Sequence, residues 1–129
     1  MLQKRVFIYV RVSTNELDID GFSISQQIEH LKKYCELKGW NLVNIYTDEG
    51  YSGRESSRPA LDQMIEDIKK GHTDIVLVDR LDRFSHYMKD VRFILQEVFE
   101  PNNVAVVSPL DHVDTTTLIG KAWLNSMVL

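Results

Sequence analysis

The sequence has little of what disulfide-stapled, zinc-bound or membrane-embedded proteins require. One cysteine, Cys35, stands in 129 residues, so no disulfide framework and no cysteine-based zinc site can form within one chain. The four histidines lack ligand spacing, and no acidic pair has a recognisable metal pattern. No apolar run is long enough to span a membrane or to act as a signal peptide. We therefore expect no metal, no membrane association and a reducing, cytoplasmic setting.

Nucleotide signatures and excess positive charge are missing as well. Neither Gly-x-x-x-x-Gly-Lys nor Gly-x-Gly-x-x-Gly occurs, so no nucleotide cofactor is expected. Lysine and arginine total 15 against 19 acidic residues, which gives a net charge of −4. This balance argues against a strong nonspecific grip on DNA by this chain alone, although it leaves room for a local basic pocket.

The residues that are present describe one soluble globular domain. Hydrophobic residues make up 43% and charged residues 26% of the chain. Strand-like and helix-like segments alternate, which predicts an α/β fold of three layers, with a mostly parallel sheet of about four strands flanked by helices. The predicted strands are 4–11, 41–47, 74–79 and 104–108, and the predicted helices open at Ser23, Pro59, before Val91 and near Leu118.

Polar segments follow three of these strands, at the edge where working residues gather in parallel sheets. They are residues 11–14, 48–58 and 79–86. In the first, alternation places Arg11 and Ser13 on the same side of an extended chain. Arginine matches phosphate geometry and serine can act as a nucleophile, but on these few residues alone a plain strand end with turn-forming serine is the favoured interpretation.

The other two segments carry similar alternatives. In DRLDRFSH, Arg80 and Arg83 share a face if a helix starts there, and Asp82 could orient an arginine or accept a proton. The alternative is a surface ion-pair cluster, but the position directly after a buried strand favours a functional role. In YSGRESSRP, Arg54 and Arg58 either grip an anion or sit in an ordinary polar connector.

Taken together, five segments resemble the catalytic domain of the serine recombinases, the family of resolvases, invertases and large serine integrases. They are YVRVST, GFSISQQIEHLKKYCELKGW, YTDEGYSGRESSRPALDQMIEDI, VLVDRLDRFSH and DTTTLIGKAWLNSMVL, in family order and at family-like spacing. The resemblance implies a catalytic domain over residues 1–129, closest in style to the large serine integrases. The rest of the long last helix and a DNA-reading region would lie outside this chain.

The resemblance also assigns roles. Ser13 would attack a DNA phosphate without metal or ATP and form a 5′-phosphoserine link, with Arg11 binding the phosphate. Gln27 would match the family's active-site glutamine and Arg58 the arginine of its mobile loop. Asp82 and Arg83 would match the acid and first arginine of the family's Leu-Asp-Arg-Leu-x-Arg motif.

One family arginine is replaced by His86. Histidine is shorter and only partly charged near neutral pH, so this position leaves two alternatives open. The chain is either a recombinase in which His86 or Arg80 does the work of that arginine, or a recombinase-derived DNA-binding and assembly module that cleaves weakly or not at all. A third alternative is a phosphate-binding α/β domain centred on Asp48 or Asp82.

The last predicted helix has an unfinished apolar face. From Leu118 onward it carries apolar residues such as Trp123 and Leu124 without a closing cap, which indicates a partner helix or, as the favoured interpretation, a helix that is cut short. The resemblance implies a dimer or tetramer built on this helix, with DNA recombination sites as the other partner.

Overall fold

A computed structural model of the chain describes residues 3–12, 23–49, 58–85 and 87–128. Its centre is a five-stranded sheet with the order β2-β1-β3-β4-β5. The strands are β1 Arg5–Val12, β2 Asn41–Glu49, β3 Ile75–Leu77, β4 Ala105–Ser108 and β5 Val113–Asp114. The helices are α1 Ile24–Lys38, α2 Pro59–Lys69, α3 Met88–Ile94 and α4 Leu118–Val128.

This arrangement confirms the predicted α/β fold and adds one strand to it. β1 to β4 pair in parallel, whereas β5 pairs antiparallel with β4 through Val107–Asp114 and Ser108–Val113. A strand of two residues is too short to show period-two alternation, so the sequence pattern did not predict β5.

Alternation along β1 divides the core into two layers. Val6, Ile8 and Val10 pack on one face of the sheet with residues of α1. Phe7 and Tyr9 point to the other face, where residues of α2, α3 and α4 cover them. β3 is buried on both faces, as its continuous apolar run predicted.

The first two helices begin and end where the sequence predicted. At α1, the Ser23 hydroxyl accepts from the backbone N–H of Gln26 at 3.1 Å, and the Gln26 side chain accepts from Ser23 N–H at 2.9 Å. Gly39 ends this helix with a left-handed φ of 72°. Pro59 occupies the first turn of α2, where its missing N–H costs nothing.

The third predicted helix is not regular throughout. α3 continues into a wider π-type turn, Leu95–Phe99, and then a 3₁₀ turn, Glu100–Asn102, which contains Pro101. Two further 3₁₀ turns lie at the carboxyl ends of β3 and β4. We call Leu81–Arg83 the Arg83 turn and Pro109–Asp111 the Asp111 turn.

α4 packs against β5 through Gly120 in its first turn. A Cβ added at this position would overlap the backbone carbonyl oxygen of Asp114, so only glycine permits the contact. Leu124 is buried in the core, whereas Leu118, Ile119 and Trp123 are more than half exposed. No helix among the described residues is long and apolar enough to cross a membrane.

Candidate active site

The carboxyl end of β1 brings Arg11 into a buried position beside β2. Its Cα is in register with that of Asp48, and the residue is only 4% exposed. Arg11 follows Tyr9 by two positions, so both side chains lie on the face covered by α2. Ser13 and His86 both lie outside the described residues.

Asp48 holds the start of α2. Its carboxylate accepts hydrogen bonds from the Tyr9 hydroxyl at 2.8 Å and from the backbone N–H groups of Ala60 and Leu61 at 2.9 and 3.0 Å. These are N–H groups that have no partner within the helix. Both carboxylate oxygens are thus engaged within the protein, which argues against Asp48 as the centre of a ligand site.

The pKa of the Tyr9 hydroxyl depends on burial and on the charges that surround it. Burial raises the pKa of Tyr9 above its ordinary value, and the negative charge of Asp48 raises it further. Arg58 and Arg11 act in the opposite direction, which places both guanidinium groups within electrostatic reach of this hydroxyl. Two of the arginines predicted for the site therefore lie in the neighbourhood of the same hydroxyl.

Arg58 connects α2 to the segment after β3. It precedes Pro59 at the start of the helix, and its Nη1 donates to the backbone carbonyls of Arg83, at 3.5 Å, and of Phe84. The Phe84 ring in turn stacks on Tyr9, with ring centroids 5.9 Å apart and planes 17° from parallel. The third predicted arginine, Arg83, thus lies on the turn that Arg58 contacts.

Within the Arg83 turn, the two residues of the predicted motif, Asp82 and Arg83, differ in their exposure to solvent. Arg83 is 7% exposed, whereas the side chain of Asp82 is 49% exposed, and its Oδ1 lies 3.9 Å from Arg83 Nη1. Asp82 is therefore close enough to influence Arg83 from the solvent side. Arg80 stands before the turn in an extended conformation, so the predicted shared helical face with Arg83 does not form.

Gln27 reaches the same edge of the sheet from the opposite face. It lies in the first turn of α1 and is 1% exposed, yet neither atom of its amide has a hydrogen-bond partner in the described residues. Leaving a buried amide unsatisfied costs on the order of 1–3 kcal/mol. One turn further along α1, His30 Nδ1 lies 3.2 Å from Oδ1 of the buried Asp79.

Sequence reasoning missed several residues that organise this edge. The sequence pattern predicts Tyr9 only as part of a strand, Asp48 as the start of a loop or the centre of a phosphate site, and it gives no role to Asp111. Their partners lie 39, 12 and 30 positions away along the chain, in Asp48, Ala60 and Leu81. No local pattern encodes contacts of that range. In the parts of the chain that the structure describes, no cluster of three or more His, Cys, Asp or Glu is arranged to hold a metal.

The strand order β2-β1-β3-β4-β5 is common to many α/β domains, so the class of protein is defined by comparison with known families. The family described as "Resolvase, N terminal domain" matches residues 6–128, so the chain belongs to this family of site-specific DNA recombinases.

Solved structures and curated proteins agree with this assignment. The crystal structure of the N-terminal catalytic domain of TP901-1 integrase has a TM-score of 0.84 at 39% identity and covers 97% of this chain and 91% of that one. A resolvase family site-specific recombinase from Streptococcus pneumoniae has a TM-score of 0.78 at 29% identity and covers 97% of this chain and 85% of that one. The Transposon Tn917 resolvase of Enterococcus faecalis is 33% identical over 122 residues, which are 95% of this chain and 58% of that protein.

Proposed function

We propose that this chain is the catalytic part of a serine recombinase that cuts and rejoins DNA through Ser13. The Ser13 oxygen bonds to a backbone phosphorus while the bond from phosphorus to the 3′ oxygen breaks. The products are a 5′-phosphoserine ester and a free 3′ hydroxyl, and the Ser13 proton balances the one that the 3′ oxygen gains. Because the ester conserves the phosphodiester bond energy, rejoining needs no nucleotide hydrolysis.

The proposal is supported by the arginines near the end of β1. Arg11 is buried there beside Asp48, and Arg58 contacts the turn that holds Arg83. Both Arg11 and Arg58 lie within electrostatic reach of the Tyr9 hydroxyl. Ser13 follows β1 by one residue. Fixed guanidinium groups stabilise the charge that builds on a phosphate during transfer, and removal of one such donor costs about a hundredfold in rate.

The remaining site residues complete the proposal. Gln27 brings a buried amide, which has no hydrogen-bond partner among the described residues, to the same edge, where an incoming phosphodiester could bind it. Asp82, on the solvent side of Arg83, either orients that arginine or accepts the serine proton. His86 stands where the family carries a further arginine, so we expect it to supply less charge to the transition state.

We propose further that α4 joins copies of the chain. Its exposed Leu118, Ile119 and Trp123 form an apolar surface, while Leu124 holds the helix on the core. In this proposal the chain supplies catalysis and assembly as a dimer or tetramer, and a segment that it does not contain reads the DNA sequence. A net charge of −4 is compatible with that division.

A covalent adduct assay tests the proposed reaction. The chain is incubated with a pool of random-sequence DNA duplexes and denatured, and the Ser13 peptide is examined by mass spectrometry for a linked 5′-phosphate. We expect the adduct in the unsubstituted chain and its loss in Ser13→Ala. Ser126→Ala, at an exposed serine of α4, is the matched control and should retain it.

His86→Arg separates the enzyme from the binding module. If the unsubstituted chain is active, this variant should form the adduct faster, by up to about a hundredfold. An adduct in His86→Arg alone would favour the module that has lost cleavage. The absence of an adduct in both chains would contradict the proposed function.

A further inference from the structure

The Arg83 turn is held at its start by an aspartate from the Asp111 turn, which follows the neighbouring strand β4. The backbone N–H of Leu81 donates to Oδ2 of Asp111 at 2.7 Å. Leu81 is buried and its N–H lies at the start of a 3₁₀ turn, where no partner exists within the turn itself. Asp111 thus satisfies a group whose burial would otherwise cost on the order of 1–3 kcal/mol.

A second hydrogen bond makes this connection reciprocal. The backbone N–H of Leu110 donates to the carbonyl of Asp79 at 3.1 Å, while Leu81 donates back to Asp111. The hydroxyl of Ser108, which is fully buried, donates to the same Asp111 oxygen at 3.1 Å. The segment that leaves β3 is therefore fixed to the Asp111 turn at two points on either side of Arg80.

The backbone after Asp111 is shaped to allow this contact. His112 adopts a left-handed conformation with φ of 57°, and its N–H donates to the carbonyl of Pro109 at 3.1 Å. Residues other than glycine occupy this region uncommonly. The conformation closes the Asp111 turn, so that the Asp111 carboxylate faces β3 instead of extending with β5.

We propose that Asp111 is a positioning residue for Arg83, and this inference rests on the proposed function of Arg83 at the site. Asp111 lies on neither the arginine-bearing segments nor the segment that carries Ser13. It acts through the backbone of Leu81, two residues before Arg83. Displacement of a catalytic group by about 1 Å costs on the order of a hundredfold in rate, so loss of this anchor weakens catalysis without weakening DNA binding.

The test compares Asp111→Ala with Asp111→Asn and with Asp74→Ala. Asparagine keeps an oxygen that can accept from Leu81, whereas alanine does not. Asp74 pairs with Arg5 at the opposite edge of the sheet, so Asp74→Ala removes a carboxylate without touching the Arg83 turn. Four quantities are measured: the hydrogen exchange of the Leu81 amide, the NMR signal of the Arg83 Nε–H group, the rate of adduct formation and the noncovalent affinity for DNA.

For Asp111→Ala we expect at least tenfold faster exchange at Leu81, a shifted Arg83 signal and at least tenfold slower adduct formation, with DNA affinity within twofold. Asp111→Asn should recover most of each loss, and Asp74→Ala should leave all four quantities unchanged. An unmoved Arg83 signal in a folded Asp111→Ala would overturn the proposal, as would an unchanged adduct rate. If the unsubstituted chain forms no adduct, the proposed function fails, while the exchange and NMR measurements still decide the role of Asp111.

Discussion

Two tyrosines that lie side by side in the sheet donate hydrogen bonds toward opposite edges. Tyr9 on β1 and Tyr46 on β2 are in register, and both are buried. Tyr9 donates to Asp48 at the carboxyl edge at 2.8 Å, whereas Tyr46 donates to Asp67 toward the amino edge at 2.6 Å. The chemistry of the pairs is the same, but their surroundings differ.

Toward the amino edge, charges are partly exposed and pair locally. Asp67 is half-buried and also accepts from Gln63 one turn away on α2. Nearby, Arg5 donates from Nε and Nη2 to the two oxygens of Asp74 at 3.1 and 3.0 Å, and both side chains are at least a third exposed. Such pairs are local, solvated and of small energetic weight.

At the carboxyl edge the polar groups are buried and tie separate segments together. Asp48 joins β1, β2 and α2, and Asp111 joins the ends of β3 and β4. Burial of polar and charged groups is costly unless each finds a partner. The pairs at the amino edge therefore add modestly to stability. The buried contacts at the carboxyl edge instead fix the segments that carry the arginines.

The largest effect is expected at Asp48. Asp48→Ala leaves the Tyr9 hydroxyl and two N–H groups of α2 without their acceptor, so the free energy of unfolding should fall by about 3 kcal/mol. Asp67→Ala, at the other pair, should cost less than about 1 kcal/mol because water can reach its partners. Denaturant unfolding of both variants measures the difference, and equal losses would contradict the contrast between the edges.

Arg58→Lys is expected to act on catalysis more than on the fold. Lysine keeps the charge but loses the planar fork of donors, so adduct formation should slow by about a hundredfold. Arg5→Lys applies the same change at the amino edge and should leave the rate unaltered. A rate that falls equally in the two variants would mean that position in the sheet is not what matters.

Tyr46→Phe probes the weaker tyrosine pair. Loss of its hydrogen bond should lower the free energy of unfolding by about 1 kcal/mol at neutral pH. Burial, followed by the bond to Asp67, raises the pKa of Tyr46 to about 12. A pKa raised by folding contributes stability below the pKa of the unfolded chain, near 10, and loses it as pH rises toward 12. Melting curves across this range should therefore converge for the two proteins; a constant gap would refute the assignment.

Asp74→Ala should give the smallest change, with a melting temperature lower by about 2 °C at neutral pH. The hydrogen bond from Arg5 holds the pKa of Asp74 below its ordinary value. A lowered pKa contributes stability above the unfolded value, near 4, and this contribution disappears as the pH falls further. The gap between variant and unsubstituted chain should thus close below about pH 4, and its persistence there would exclude the ion pair as its source.

Local signals were sufficient for most of the fold. The capping box at Ser23, the proline at position 59 and the apolar run of β3 each act within a few residues, and each element lies where these signals predicted it. Even the wide turn after α3 changes only the regularity of a helix whose apolar spacing was correctly recognised. Such signals can be recognised in a single sequence because the interacting residues lie within one or two helical turns of each other along the chain.

The candidate site could be predicted from the sequence only in part. The family resemblance singled out Arg11, Arg58 and Arg83, and these residues are associated in the structure through Tyr9 and Phe84. The groups that hold them, above all Asp48 and Asp111, take their roles from distant backbone N–H groups. An aspartate in a strand end or a loop gives no indication of which distant amide it will meet.

The absence of a side chain at Gly120 has a consequence for how copies of the chain would meet. The backbone of α4 at Gly120 packs directly against the backbone of Asp114. The close approach is possible because Gly120 has a hydrogen atom in place of a side chain, and this contact sets the angle at which the helix leaves the sheet. Any larger group would tilt the helix and redirect Trp123 with it. The geometry of an entire assembly would then depend on the smallest residue in the chain.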